Sequence, residues 1–121
     1  MECLPKEEIG QGSIVITPFP FLDKPESKVR PALVISNSRF NSATNNLILV
    51  PITSSMKDMP YSAAISKQDI AEGELLANSR VRIDKMFSLN RELVMHCVGK
   101  LHSQAYETVN KIIQESLEPG Y

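Results

Sequence analysis

The chain has 121 residues and a formal net charge of -1, with 42% apolar and 22% charged residues, which is typical of one ordinary globular domain. The near-neutral charge argues against a long nucleic-acid channel, and no apolar run approaches the ~18 residues that a membrane span needs. The acidic N-terminus lacks the apolar core of a signal peptide, so we expect a cytoplasmic protein that does not contact membranes.

Short β-strands are predicted through the first half of the chain. Residues 14–17 form a β-branched run, and the prolines after it end this strand or confine it to a sheet edge. Residues 32–36 predict a second strand and residues 47–52 a third, with a polar connection at residues 37–46.

Three more strands are predicted in the second half. Residues 61–66 indicate a weaker strand, residues 79–87 alternate as a half-buried strand does, and residues 94–101 predict the last one. Short strands with no helices between them favour a mainly β fold, a small barrel rather than a parallel sheet.

A C-terminal α-helix is predicted over residues 103–117. Ser103 is the expected N-cap, and Pro119-Gly120 stops the helix. Its expected apolar face consists of Ala105, Val109, Ile112, Ile113 and Leu117. We expect one domain over residues 1–121, with residues 1–11 as an N-terminal extension.

Two basic blocks lie inside an otherwise acidic chain. Residues 27–57 hold four cations and no acid, and residues 80–91 hold four cations and one acid. If the fold brings the blocks together, they form a local site for an anionic ligand. The alternative is a scatter of solvated charges.

Arg30 stands at the mouth of the second strand, directly before Pro31. A proline biases the residue before it toward extended backbone, so Arg30 is presented on a stiff segment. Its planar guanidinium suits a phosphate. The alternative is a surface arginine in a salt bridge with Asp23 or Glu26.

Polar groups at two strand ends are further candidates. Thr53-Ser54-Ser55 follow the third strand, and their hydroxyls either donate to phosphate oxygens or form turn bonds to the backbone. Strand periodicity places Arg80, Arg82 and Asp84 on one face, in steps of about 6.8 Å. They form either a structural ion pair or an acid–base pair beside a phosphate.

Neither a metal nor a cofactor is expected. Cys3 and Cys97 are the two cysteines, and without a Cys-x-x-Cys motif they indicate reduced thiols. His96 adjoins Cys97, and neighbouring strand residues point to opposite faces, so the two make a poor metal pair.

Taken in order, six segments resemble the MazF/PemK-like toxins of toxin–antitoxin systems, the mRNA interferases. They read GSIV at residues 12–15, PFPF at 18–21, RPALVIS at 30–36, PITSS at 51–55, VRIDK at 81–85 and VGKL at 98–101. The resemblance spans residues 12–117. It implies a small SH3-like β-barrel of the PemK/MazF/CcdB toxin type with a C-terminal helix, usually a homodimer with RNA along the dimer groove.

The resemblance also implies an activity. It implies metal-independent cleavage of single-stranded mRNA with the ribose 2'-hydroxyl as nucleophile, a cognate antitoxin as partner, and DNA binding together with that antitoxin. Arg30 and Thr53 match the family's active-site arginine and threonine, and Arg82 and Asp84 match a pair found in one subfamily. On this basis Arg30 and Thr53 hold the scissile phosphate, Asp84 takes the ribose proton, and Arg82 orients Asp84.

Four further residues are predicted to contact RNA: Ser54, Lys28, Phe21 and Arg80. Phe21 either stacks on a base or belongs to the core. The loop at residues 21–27 lacks the histidine that some family members carry there. An aspartate beside arginines has a lowered pKa and is a weak base, so electrostatic roles for the arginines take precedence over proton transfer.

A second class of function stays open at this point. The same barrel serves non-catalytic proteins, such as gyrase-type poisons or RNA-binding regulators, because a fold does not dictate an activity.

Overall fold

The computed structural model describes residues 9–18, 29–55, 57–75 and 77–120. Within these ranges the strands are β1 Ser13–Pro18, β2 Val29–Val34, β3 Asn46–Thr53, β4 Ser62–Ile65, β5 Ile70–Gly73, β6 Ser79–Arg82, β7 Phe87–Asn90 and β8 His96–Leu101. The helices are α1 Ser38–Thr44 and α2 Ser103–Leu117, and 3-10 turns occur at Lys67–Asp69, Ile83–Lys85 and Arg91–Leu93.

The strands form one curled antiparallel sheet in the order β4-β6-β3-β2-β1-β8-β5. β3 bends across the molecule, so its first half pairs with β7 and its end pairs with β6. This half-barrel with a C-terminal helix confirms the predicted fold class. No helix in the described part of the chain is long and apolar enough to span a membrane.

The central strands are buried on both faces, which explains their nearly continuous apolar sequence. Ile14, Leu33 and Val50 face one core cluster, which α2 covers with Val109 and Ile113. The opposite face forms a second cluster, made of Ile9, Val15, Ala32, Val34, Leu47, Leu49, Leu89, Val94 and Cys97.

The polar connection between β2 and β3 contains a helix that the sequence analysis missed. In α1, Asn37 caps the N-terminus by accepting from the backbone N of Phe40, and Asn45 ends the helix with φ 57. Its buried residue is Asn41, which is held by hydrogen bonds to Ser36. A helix anchored by an amide has no apolar periodicity to reveal it.

The predicted strand over residues 79–87 is wrong in its second half. β6 ends at Arg82, and a 3-10 turn at Ile83–Lys85 separates it from β7. Asp84 therefore lies in the turn and not on the face of the strand. Val81 and Ile83 are both buried, so the burial alternates as expected although the backbone has left the ladder.

The C-terminal helix occupies the predicted segment, but two details differ. His102 holds the N-cap position and makes no side-chain cap, so the assignment of Ser103 as N-cap is wrong. Leu117 is 66% exposed and does not belong to the core cluster that includes Val109 and Ile113, so its place on the predicted apolar face is wrong.

Candidate active site

A cavity of about 430 Å³ opens where β2 begins and β3 ends. The two strands are antiparallel, and continuing the register that pairs Ala32 with Pro51 places Arg30 level with Thr53. Arg30, Thr53 and Ser54 all line this cavity. Sheet pairing thus brings together residues that are 23 positions apart in the sequence.

The remaining lining of the cavity is mostly apolar. It comes from five strands and the segment before β6, and it consists of Ile14, Ile16, Pro31, Ile52, Leu75, Ala77 and Val98, with Ser79 and Glu74 as further polar members. A cleft with apolar walls and a few polar groups is the usual form of a binding site for an organic ligand.

The side chain of Arg30 is available for a ligand. It is exposed and forms no ion pair or hydrogen bond with any residue that the structure describes. Asp23 and Glu26, the alternative partners considered from the sequence, lie outside the described residues. No described residue therefore occupies the N–H donors that the guanidinium presents at the cavity.

The Thr53 hydroxyl forms one of the two interactions considered from the sequence, the turn bond. Its Oγ1 accepts a hydrogen bond of 3.2 Å from the backbone N of Ser55, which is the predicted turn bond. A hydroxyl that accepts still has its own proton to donate. Ser54 is exposed beside it. Two hydroxyl donors thus line the same cavity as Arg30.

Arg82 and Asp84 form an ion pair outside the lining of the cavity. Two hydrogen bonds of 3.1 and 2.6 Å join the Arg82 guanidinium to the two carboxylate oxygens, and the side chains are 31% and 42% exposed. The hydrogen bond from Arg82 lowers the pKa of Asp84 below its usual value, although desolvation opposes this. Neither residue is among the described residues that line the cavity.

Arg80 lies nearer to the cavity but is engaged. β3 and β6 pair Thr53 with Arg80, so the two basic blocks do meet in the fold. The Arg80 guanidinium is directed to Ser62 Oγ at 3.0 Å and to the Asp58 carboxylate at 3.2 Å. The predicted RNA contacts Lys28 and Phe21 lie outside the described residues.

Neither the walls of the cavity nor the acid among them was predicted from the sequence. Glu74 follows β5, an exposed strand that the sequence did not indicate, so nothing placed Glu74 near Arg30. Within the described ranges, no three His, Cys, Asp or Glu residues are grouped so that they hold a metal ion.

Comparison with known proteins adds independent information. The model of a family described as PemK-like, MazF-like toxin of type II toxin-antitoxin system matches residues 10–117. No curated protein sequence matches the chain significantly.

Three solved structures illustrate the likeness of fold. An endoribonuclease in complex with its cognate antitoxin from Mycobacterial species is 16% identical at a TM-score of 0.74, covering 93% of this chain and 98% of that one. MazF from Deinococcus radiodurans is 22% identical at a TM-score of 0.70, and the match covers 90% of this chain and 96% of that one. The Mycobacterium tuberculosis toxin MazF-mt6 is 16% identical at a TM-score of 0.70, and the match covers 90% of this chain and 99% of that one.

Proposed function

The chain belongs to the PemK-like, MazF-like toxin family of type II toxin–antitoxin systems, and on that premise we propose that it is an endoribonuclease that cleaves single-stranded mRNA. The observation that carries the proposal is the meeting of Arg30, Thr53 and Ser54 at one cavity, with donors that other described residues leave free. Similar structures from mycobacteria are named endoribonucleases, which supports the same activity.

The ribose of the substrate supplies the nucleophile. Its 2'-oxygen bonds to the scissile phosphorus as the bond from phosphorus to the 5'-oxygen breaks, leaving a 2',3'-cyclic phosphate and a 5'-hydroxyl. The 2'-hydroxyl loses a proton, and the departing 5'-oxygen gains one. This chemistry needs the 2'-hydroxyl, so the enzyme distinguishes RNA from DNA.

Arg30 and Thr53 stabilise the charge that develops on the phosphate. The Arg30 guanidinium donates to the non-bridging oxygens, and the Thr53 hydroxyl donates to one of them, with Ser54 beside it. Preorganised donors of this kind act most strongly where charge appears in the transition state, and each contributes about 3 kcal/mol.

Asp84 has the predicted role of base, with Arg82 orienting it. Both of its oxygens already accept hydrogen bonds from that guanidinium, so the ribose proton has to be taken up by a remaining lone pair. Its lowered pKa also makes it a weak proton acceptor. The roles of Arg30 and Thr53 are independent of this step.

The partners follow from the family. A type II toxin has a cognate antitoxin, and solved MazE–MazF complexes of Deinococcus radiodurans are similar to this chain in fold. We expect the toxin to be a homodimer that acts in the cytoplasm. The antitoxin inhibits it by covering the RNA site with a segment that folds on binding.

The proposal is tested by incubating the pure protein with single-stranded RNA of mixed sequence in EDTA. We expect cleavage products ending in a 2',3'-cyclic phosphate, and no cut where the nucleotide 5' to the scissile phosphate is 2'-deoxy. If RNA stays intact across many sequences while expression still arrests growth, the chain is a non-catalytic toxin instead.

A further inference from the structure

Glu74 is an acid in a cavity that we assign to a polyanion. It lines the cavity together with Arg30, yet it forms no ion pair or side-chain hydrogen bond with any described residue, Arg30 included. A free carboxylate near a bound phosphate is repulsive, so its position calls for a compensating contact in the complex.

The backbone holds Glu74 in a defined place. Its N–H donates to the Val98 carbonyl at 3.3 Å. Gly73 before it has φ 81, and a Cβ there would lie 2.0 Å from the same Val98 oxygen. β5 and β8 thus approach so closely that only glycine fits at residue 73, which fixes the strand end from which Glu74 projects.

The walls of the cavity suit the faces of a nucleobase. Ile16, Pro31, Leu75 and Val98 are among its lining residues, and its volume of about 430 Å³ lies within the usual range for small-molecule sites. A base that is unstacked from single-stranded RNA exposes its Watson–Crick edge to protein side chains.

We propose that Glu74 determines sequence specificity by accepting hydrogen bonds from a guanine seated in this cavity, next to the phosphate bound by Arg30. A carboxylate accepts and cannot donate, so it selects N–H groups. Guanine presents N1–H and the 2-amino group side by side, which matches two carboxylate oxygens. Adenine, cytosine and uracil each present one donor group on that edge.

This inference rests on the proposed ribonuclease function, and its test separates the two. Cleavage of RNAs that differ at one guanine next to the cut is measured for wild type, Glu74→Ala and Glu74→Gln. The control is Glu72→Ala, which removes an exposed acid of β5 that does not line the cavity.

Wild type should prefer guanine over the other bases by about tenfold to a hundredfold, the usual discrimination of a bidentate contact. Inosine, which lacks the 2-amino group, should lose most of this preference. Both Glu74 variants should lose it too, with a lower rate at guanine sites, while Glu72→Ala keeps it.

Binding of an uncleavable 2'-deoxy oligonucleotide, with guanine or inosine, supplies a readout that does not need catalysis. Wild type should favour guanine and Glu74→Ala should not. If wild type cuts RNA and Glu74→Ala keeps the same base preference, the role of Glu74 is wrong and the ribonuclease stands. If RNA is not cut but guanine binding depends on Glu74, the catalytic proposal fails and the recognition site stands. Equal binding of guanine and inosine by wild type overturns the inference.

Discussion

Two arginine-containing regions of this molecule were expected to act together, and they differ in whether the arginine is already paired with a carboxylate among the described residues. At the cavity, Arg30 and Thr53 have donors that no described residue occupies. At the end of β6, the Arg82 guanidinium is paired with both carboxylate oxygens of Asp84. A substrate at Arg82 would have to displace Asp84, whereas at Arg30 it displaces no described residue.

The cost of that displacement is small at a surface. An exposed ion pair contributes about 1 kcal/mol or less, so the link between Arg82 and Asp84 opens readily if a phosphate competes for the guanidinium. What separates the regions is therefore geometry, since Arg30 lines a cavity with apolar walls and the paired residues do not.

The largest expected effect is that of Arg30→Ala. Losing the guanidinium should lower kcat/KM for RNA cleavage by about a hundredfold or more, because a preorganised donor to the transition state is removed. Arg30→Lys should recover part of the rate, since an ammonium keeps the charge but not the planar fork. Arg39→Ala is the control, because it removes an exposed cation of the same basic block on α1. Equal activity of Arg30→Ala and Arg39→Ala would rule out the cavity as the catalytic centre.

Thr53→Val should give the next largest loss in cleavage, about tenfold to a hundredfold, because the valine keeps the shape and removes the hydroxyl donor. Thr53→Ser keeps the hydroxyl and should stay close to wild type. The turn bond from Ser55 is lost in the valine variant, so thermal unfolding is measured beside kcat. A rate loss that appears only in proportion to unfolded protein would mean that Thr53 is structural.

Asp84→Asn tests whether Asp84 is the base of the reaction or only the partner of Arg82 in a surface ion pair. If the pair is a surface ion pair, cleavage should fall about fivefold or less. If Asp84 is the base, the loss should approach that of Arg30→Ala. The pKa of Asp84 is lowered in the folded protein, so its carboxylate is fully ionised from pH 5 to 8, and its titration should leave the rate flat across that range.

Asp84 also makes the stability of the folded protein depend on pH. A carboxyl group whose pKa is lower when folded contributes stability above its unfolded value near 4, and this contribution disappears as the pH falls through the folded pKa. Acid unfolding below about pH 4 should therefore be slightly less steep in Asp84→Asn, by well under ~1 kcal/mol because the side chain is 42% exposed. A difference at pH 7 that is larger than this would indicate additional contacts of Asp84.

The elements that the sequence predicted differ from those it missed in having a buried apolar pattern. β1 and β3 were found because their β-branched and apolar residues are buried on both faces. α1 and β5 were missed because one buried asparagine anchors α1, while β5 is mostly exposed and is held by the close approach of Gly73 to Gly99. Backbone contacts and polar anchors leave no periodic apolar pattern.

The residues of the candidate site likewise fall into those that the sequence predicted and those that it did not. Arg30 and Thr53 were predictable because each stands at a strand end beside a residue that fixes its backbone or ends the apolar run. Glu74 follows β5, and the apolar walls come from several strands and the segment before β6, so finding them required the sheet register. Asp84 lies in the 3-10 turn after β6 and not in the strand. The sequence did not show where β6 ends, because the buried residues Val81 and Ile83 continue the alternation of a strand into the turn.

Thr17→Val removes a buried polar group that no described residue satisfies. Thr17 pairs with Arg30 across β1 and β2 and is fully buried, and its Oγ1 has no hydrogen-bond partner among the described residues. A buried hydroxyl without a partner costs about 1 kcal/mol or more, so valine should raise the free energy of unfolding by about 1 kcal/mol, or Tm by about 4 °C.

Thr108→Val is the control, because the exposed Thr108 hydroxyl on α2 donates to the Gln104 carbonyl, and its loss should change the free energy of unfolding by less than about 0.5 kcal/mol. Chemical denaturation measures both variants. A loss of stability in Thr17→Val would mean that the hydroxyl has a hydrogen-bond partner outside the described residues, such as a water molecule, a ligand or another part of the chain.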